Sequence, residues 1–146
     1  MAKWYTYRFD VETVPQTEVL PLISSQEGTV YLPLTILDPR KIALLLDPRY
    51  PSSAESIHLA GGPIHTMPLL AENQLLQILA DSPTSVLAKA RFMVLNYPHN
   101  PATDMASLSF FEEKVKFYQQ YNLVLIHDFF YADIVFNEIK LPPSIL

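Results

Sequence analysis

The chain has 146 residues, of which 49% are hydrophobic and 17% charged, enough for one ordinary core and too few for two. Ten Lys and Arg against fifteen Asp and Glu give a net charge of −5 with no basic cluster, which argues against nucleic acid as a partner. The longest strictly apolar run, residues 42–46, is far below the ~20 residues that cross a bilayer, so no membrane partner is expected. Residues 1–10 have no signal-like apolar core, and without cysteine there is no disulfide, thiolate nucleophile or cysteine-ligated zinc. The expected setting is cytoplasmic.

In chain order, short apolar runs alternate with segments of helical period. Residues 18–23 read as a strand, 26–37 as a helix, 42–46 as a strand and 52–60 as a helix. Residues 64–69 read as a strand, 83–90 as a helix, 92–96 as a strand, 107–121 as a helix and 123–127 as a strand. The helix over 107–121 is the clearest: Leu108, Phe111, Val115 and Tyr118 share one face, and Ser109 with Glu112 has capping-box spacing. Its charges, Glu112, Glu113, Lys114 and Lys116, read as a solvated face. Most of the strands are continuously apolar, hence buried on both faces. Strand and helix in alternation predict an α/β fold with a mainly parallel sheet flanked by helices, in one unit spanning residues 1–146.

Thirteen prolines are spread along the chain with no Ser/Gly-rich linker and no repeat, so they punctuate a single unit. Gly28, Gly61 and Gly62 are the only glycines, too few for a dinucleotide fingerprint or a Walker A loop. His58, His65, His99 and His127 sit on different elements with no i,i+4 pair, so no metal site is expected. No Gly-x-Ser-x-Gly elbow exists for a hydrolase nucleophile.

Ligands of parallel α/β sheets sit outside the carboxyl ends of the strands. The segments that fall there are residues 24–28 (SSQEG), 47–51 (DPRYP), 96–101 (NYPHNP) and 128–131 (DFFY). Singly, each has an ordinary structural use. Asp128 can cap a helix or close a turn, and Tyr50 and Tyr131 can be boundary aromatics. Asn100 before Pro101 can be a turn residue, and Ser25 with Gln26 a plain helix start.

Together, in this order and spacing, N-Y-P-H-N-P at 96–101, H-D-x-x-Y at 127–131, D-P-x-Y-P at 47–51 and S-Q-E-G at 25–28 resemble the pyridoxal 5'-phosphate (PLP) site of fold type I, class I/II aminotransferases. The likeness runs from about Trp4 to Leu146 and is greatest to the LL-diaminopimelate aminotransferase branch. The resemblance implies PLP as cofactor. Asp128 would pair with the protonated pyridine nitrogen, and Asn100 and Tyr131 would donate to the phenolic oxygen. Tyr50 would lie on the ring, and Ser25 and Gln26 would receive the phosphate at a helix N-terminus. His99 and His127 would line the mouth of the site or serve the core.

The chain also departs from that family's pattern. Ser24 replaces a glycine before the phosphate loop, Ala102-Thr103 replaces Thr-Gly, and Phe129-Phe130 replaces a pair of small residues. Bulk at Phe130 is expected to crowd the pyridine ring, an overpacking that commonly costs ~1–3 kcal/mol. Family members are more than twice as long, and no Ser-x-Ser-Lys motif occurs in these residues. The Schiff-base lysine and the arginine that clamps the substrate carboxylate are therefore missing, and nothing matches Lys140 to the lysine. The expectation is a truncated large domain, its final strands missing, with no catalytic residue of its own and little transferase activity alone. The strand over 18–23 would then lack its neighbours, leaving the N-terminal segment loosely attached. The strand over 123–127 would be an open edge for self-association or a complementing aminotransferase chain. A non-catalytic interaction remnant and one half of a split enzyme are the alternative readings.

Overall fold

The computed structural model describes residues 1–69, 75–134, 136 and 141–146. Four strands, β1 (Ile42–Asp47), β2 (Ile64–Pro68), β3 (Ala90–Asn96) and β4 (Val124–Asp128), form one sheet in the order β2-β1-β3-β4. All three pairings are parallel, so every strand ends at the same margin of the sheet. The helices are α1 (Ala2–Phe9), α2 (Ser25–Ile36), α3 (Ser52–Leu59), α4 (Leu75–Asp81), α5 (Thr84–Leu87) and α6 (Leu108–Tyr121).

The central strands β1 and β3 are buried on both faces, as their apolar composition requires, whereas the edge strand β4 is only partly covered. Leu44 and Leu46 of β1, with Met93 and Leu95 of β3, pack against Leu75 and Leu79 of α4 and Phe110, Phe111 and Tyr118 of α6. The alternate residues Ala43, Leu45 and Phe92 face the other way, against Leu37 and Ile57 near the ends of α2 and α3. Two helical layers thus enclose the sheet.

Several expectations are corrected. Residues 18–23 form no strand: Leu20 and Ile23 lie exposed, and no described strand lies beside them to complete a ladder. The N-terminus is not loose, because residues 2–9 form a helix that the apolar period did not reveal. Tyr5 hydrogen-bonds Ser144, Phe9 packs on Phe129 at 5.4 Å, and Arg8 pairs with Asp133 at 3.5 Å. The helix expected over 83–90 shrinks to α5, because Ala90 is drawn into the sheet opposite Ile42. Helix α4 was not anticipated, although Leu75 and Leu79 carry helical spacing.

On α6 the cap is Ser107, whose Oγ accepts from the Phe110 N–H at 3.1 Å, rather than the anticipated Ser109. Leu108 is exposed, and the buried face runs through Phe110, Phe111, Lys114 and Tyr118. Lys114, read as solvated, is 1% exposed; its ammonium lies 4.4 Å from the centre of the Phe110 ring and 3.3 Å from Glu113. A long aliphatic stem and an aromatic face one turn away make that burial tolerable. Lys140 lies outside the described residues.

Beyond β3 the chain turns tightly. The His99 N–H donates to Asp104 O at 2.9 Å, the Thr103 N–H to His99 O at 2.8 Å, and the Ala102 N–H to His99 Nδ1 at 3.2 Å. The turn places Thr103 at φ 61°, the left-handed region that disfavours a β-branched residue. That conformation costs an ordinary residue ~1–2 kcal/mol, and glycine's larger unfolded-state entropy returns about half of it. Thr103→Gly is therefore expected to stabilise the chain by up to about 1 kcal/mol, read as a higher urea midpoint; a lower midpoint would contradict the left-handed turn.

His127 is held inside. Its Nε2–H donates to Tyr97 O at 2.9 Å, and its ring stacks on Phe129 at 4.4 Å and meets Phe111 at 4.7 Å. Burial pushes its pKa below the ordinary 6.5, only partly opposed by the Tyr97 carbonyl. Burial moves His99 in the same direction. For a base whose folded pKa is depressed, the unfolded chain takes up the proton first as pH falls, so stability drops below about pH 6.5. His127→Gln should lessen that acid loss when urea midpoints at about pH 7.5 and about pH 5.5 are compared; an unchanged loss would place the titration elsewhere.

Candidate functional site

The four loops singled out in the sequence meet at the carboxyl margin of the sheet. Ser25, Gln26, Tyr50, Asn100, Asp128 and Tyr131 all line one cavity of about 130 Å³, whose wall is completed by Thr29, Ser52, Ser53, Asn96 and Phe130. The strand order reverses between β1 and β3, where a parallel sheet opens a crevice.

Ser25 and Gln26 head α2. Ser24, before them, is extended at φ −153°, a backbone open to any residue, so its replacement of glycine needs no special conformation. The first-turn N–H groups of a helix lack intrahelical acceptors and, with the helix dipole, favour an anion. Glu27 steadies this end: its Oε2 accepts from the Ile23 N–H at 2.9 Å. Tyr50 follows β1 in a loop tied by an Arg49–Asp47 ion pair of 2.8 Å, and its ring is 45% exposed.

Asp128 ends β4 directly opposite Asn96, the last residue of β3. Asn96 Nδ2 donates to Asp128 O at 3.0 Å and to Asp128 Oδ2 at 3.3 Å. Asn96 Oδ1 accepts from the Asn100 N–H at 2.8 Å, and Asn100 Nδ2 donates to the Tyr131 hydroxyl at 3.1 Å. Burial raises the pKa of the Asp128 carboxyl above the ordinary 3.8, and the Phe130 backbone N–H offsets part of that rise. A carboxyl desolvated at the wall of a cavity is suited to a cationic partner.

Phe130, expected to crowd the site, is 63% exposed and meets Tyr131 edge-on at 5.0 Å, so its bulk stands on the wall and largely in solvent. Phe129 is the ring that turns inward, onto His127 and Phe9. His99 and His127 do not line this cavity. His99 instead faces a second, larger and mostly apolar cavity of about 550 Å³, which shares Asn100 and Tyr131 with the first.

Sequence reasoning missed Asn96 as a member of the site. The available signal was its place at the end of a strand, opposite the strand-end Asp128 in a parallel pair. Among the described residues, no helix is long and apolar enough to cross a membrane.

Comparison with known proteins gives one consistent answer. The chain is 44% identical over 137 residues to an LL-diaminopimelate aminotransferase of Dehalococcoides mccartyi, covering 94% of this chain and 35% of that protein. It is 40% identical to the LL-diaminopimelate aminotransferase of Aquifex aeolicus over all of this chain and 38% of the relative. Among solved structures, BacF from Bacillus subtilis superposes with a TM-score of 0.90 at 34% identity, over 99% of this chain and 36% of that one. A probable N-succinyldiaminopimelate aminotransferase from Thermus thermophilus gives 0.85 at 34% identity, over 99% and 38%. The chain thus spans a little over a third of the length of the relatives it matches. A family model described as aminotransferase class I and II matches residues 1–144, and the chain belongs to that family.

Proposed function

We propose that this chain is part of the PLP-binding large domain of an aminotransferase, and that amino-group transfer needs groups beyond these 146 residues. The observation that supports the reading is the convergence of Ser25, Gln26, Tyr50, Asn100, Asp128 and Tyr131 on one cavity.

The donor set suits PLP. The Asp128 carboxyl, raised by burial, gains most from a protonated pyridine nitrogen, and that ion pair keeps the proton on the ring. Asn100 and Tyr131, already 3.1 Å apart, present an amide and a hydroxyl to one oxygen. Ser25 and Gln26 offer hydroxyl, amide and first-turn N–H groups to a phosphate. Tyr50 has an accessible ring to cover one face of a flat heterocycle. Bound PLP supplies the electron sink for reaction at the amino-acid carbon. The chain's own groups bind and orient it and hold the ring proton. No residue here matches the family's covalent lysine or its carboxylate-clamping arginine, so proton transfer at the substrate carbon is assigned to no side chain of this chain.

A titration of the purified chain with PLP, followed by absorbance and Tyr/Trp fluorescence, tests this. Saturable binding is expected, weakened about 10- to 100-fold in Asp128→Ala through loss of a charge-assisted contact and several-fold in Tyr50→Ala. No saturation, or binding indifferent to both substitutions and due to non-specific lysine adducts, would overturn it.

The second reading, a non-catalytic interaction chain, is favoured by the edge of the sheet. Among the described residues β4 is the terminal strand of the sheet, and its Val124 is 41% exposed. The chain is then expected to associate through β4, with itself or with a complementing aminotransferase chain. Sedimentation equilibrium should show dimers or larger species, shifted toward monomer by Val124→Lys. A monodisperse monomer in the unsubstituted chain would rule the edge out as a self-association surface.

A further inference from the structure

β3 and β4 stop together at Asn96 and Asp128, which are register partners. Where a parallel ladder stops, the last carbonyl loses the N–H that a continuing neighbour would have offered, and a half-buried carbonyl left without a donor is costly. Asn96 meets that need from its side chain: Nδ2 reaches Asp128 O at 3.0 Å and Asp128 Oδ2 at 3.3 Å. At its other end, Oδ1 takes the Asn100 N–H at 2.8 Å.

Asn100 N–H can only donate and Asp128 O can only accept, so the amide has one orientation that serves both. Nδ2 is thereby committed to the Asp128 side, where its second hydrogen points toward the carboxylate. Alanine serves neither neighbour. Aspartate, which has the same shape, keeps the acceptor for Asn100 but replaces the donor with an oxygen facing two oxygens of Asp128.

We propose that Asn96 is the positioning residue of this site, one amide that aims the Asp128 carboxylate and fixes the Asn100 loop at once. The proposal rests on the PLP reading for its purpose, though not for its geometry. Through Asn100 the same amide reaches the Tyr131 hydroxyl, so three of the six cavity residues are registered by a side chain that carries none of the cofactor contacts itself. The consequence is electrostatic as well as steric. A donor on Oδ2 favours the ionised form of Asp128 and opposes the rise that burial imposes.

The test is made on the full chain without cofactor, and then with PLP. The Asp128 carboxyl is titrated by carbon-13 NMR in the unsubstituted chain, in Asn96→Asp and in Asn96→Ala. The upper titration midpoint is expected to rise by about one unit or more in Asn96→Asp, where two carboxyls face each other, and by less in Asn96→Ala. In the unsubstituted chain, the Asn96 side-chain amide resonances should shift with the same midpoint as the Asp128 carboxyl, a readout that requires no variant to fold. PLP is expected to bind at least about tenfold more weakly to Asn96→Asp. An Asp128 midpoint unmoved in both variants, or an Asn96 amide that does not follow it in the unsubstituted chain, would overturn the proposal. Equal PLP affinity in all three chains, despite a moved midpoint, would overturn its cofactor purpose. Failure of the unsubstituted chain to bind PLP, with the midpoint moving as expected, would remove the PLP reading and uphold the hold of Asn96 on Asp128.

Discussion

A carboxyl group turned partly from water at the end of a parallel strand gives up hydration, and at Asp128 two donors recover part of that loss. The Asn96 amide donates to Oδ2, the Phe130 backbone N–H favours the charged form, and the cavity beyond leaves room for a cation. The neighbouring elements accommodate this arrangement. His127, one residue earlier, points to the other face of the sheet and is locked by Tyr97 O between Phe111 and Phe129.

The all-parallel order β2-β1-β3-β4 brings distant sequence together. Each crossover returns the chain to the same starting margin, so residues after β1, β3 and β4 emerge side by side although Tyr50 and Asp128 are far apart along the chain. Apolar side chains alternate between the α4/α6 layer and the α2/α3 layer, which leaves the strand ends as the place where polar groups can gather. The cavity is a product of topology first and of residue chemistry second.

Much of this was legible in the sequence, for identifiable reasons. The predicted strands over 42–46 and 92–96 are built on continuous apolar runs and form the middle of the sheet, where both faces are covered. Six of the residues that line the cavity were singled out through the family resemblance of four motifs that follow the predicted strands. What failed depended on neighbours. Residues 18–23 have the composition of a strand, but a strand exists only through its partner, and Pro21 cannot donate to one. Lys114 reads as surface until Phe110 lies one turn away to receive its ammonium. Asn96, within the quoted motif, was given no role of its own because its bond across to Asp128 belongs to the pairing of two strands and appears in neither alone.

Residues 18–23 also join the open surface of the chain to the cavity. A Cβ on Gly28 would lie 2.8 Å from Leu22 Cδ1, so the absence of a side chain in the first turn of α2 is what lets Leu22 seat there. Ile23 N–H bonds Glu27 Oε2 in the same turn. The exposed segment and the end of α2 that carries Ser25 and Gln26 are therefore tied by one side-chain contact and one hydrogen bond. The Asp128, Asn100 and Tyr131 side of the cavity is held by bonds within β3, β4 and their loops, whereas the Ser25 and Gln26 side adjoins a segment whose own apolar residues Leu20 and Ile23 face solvent.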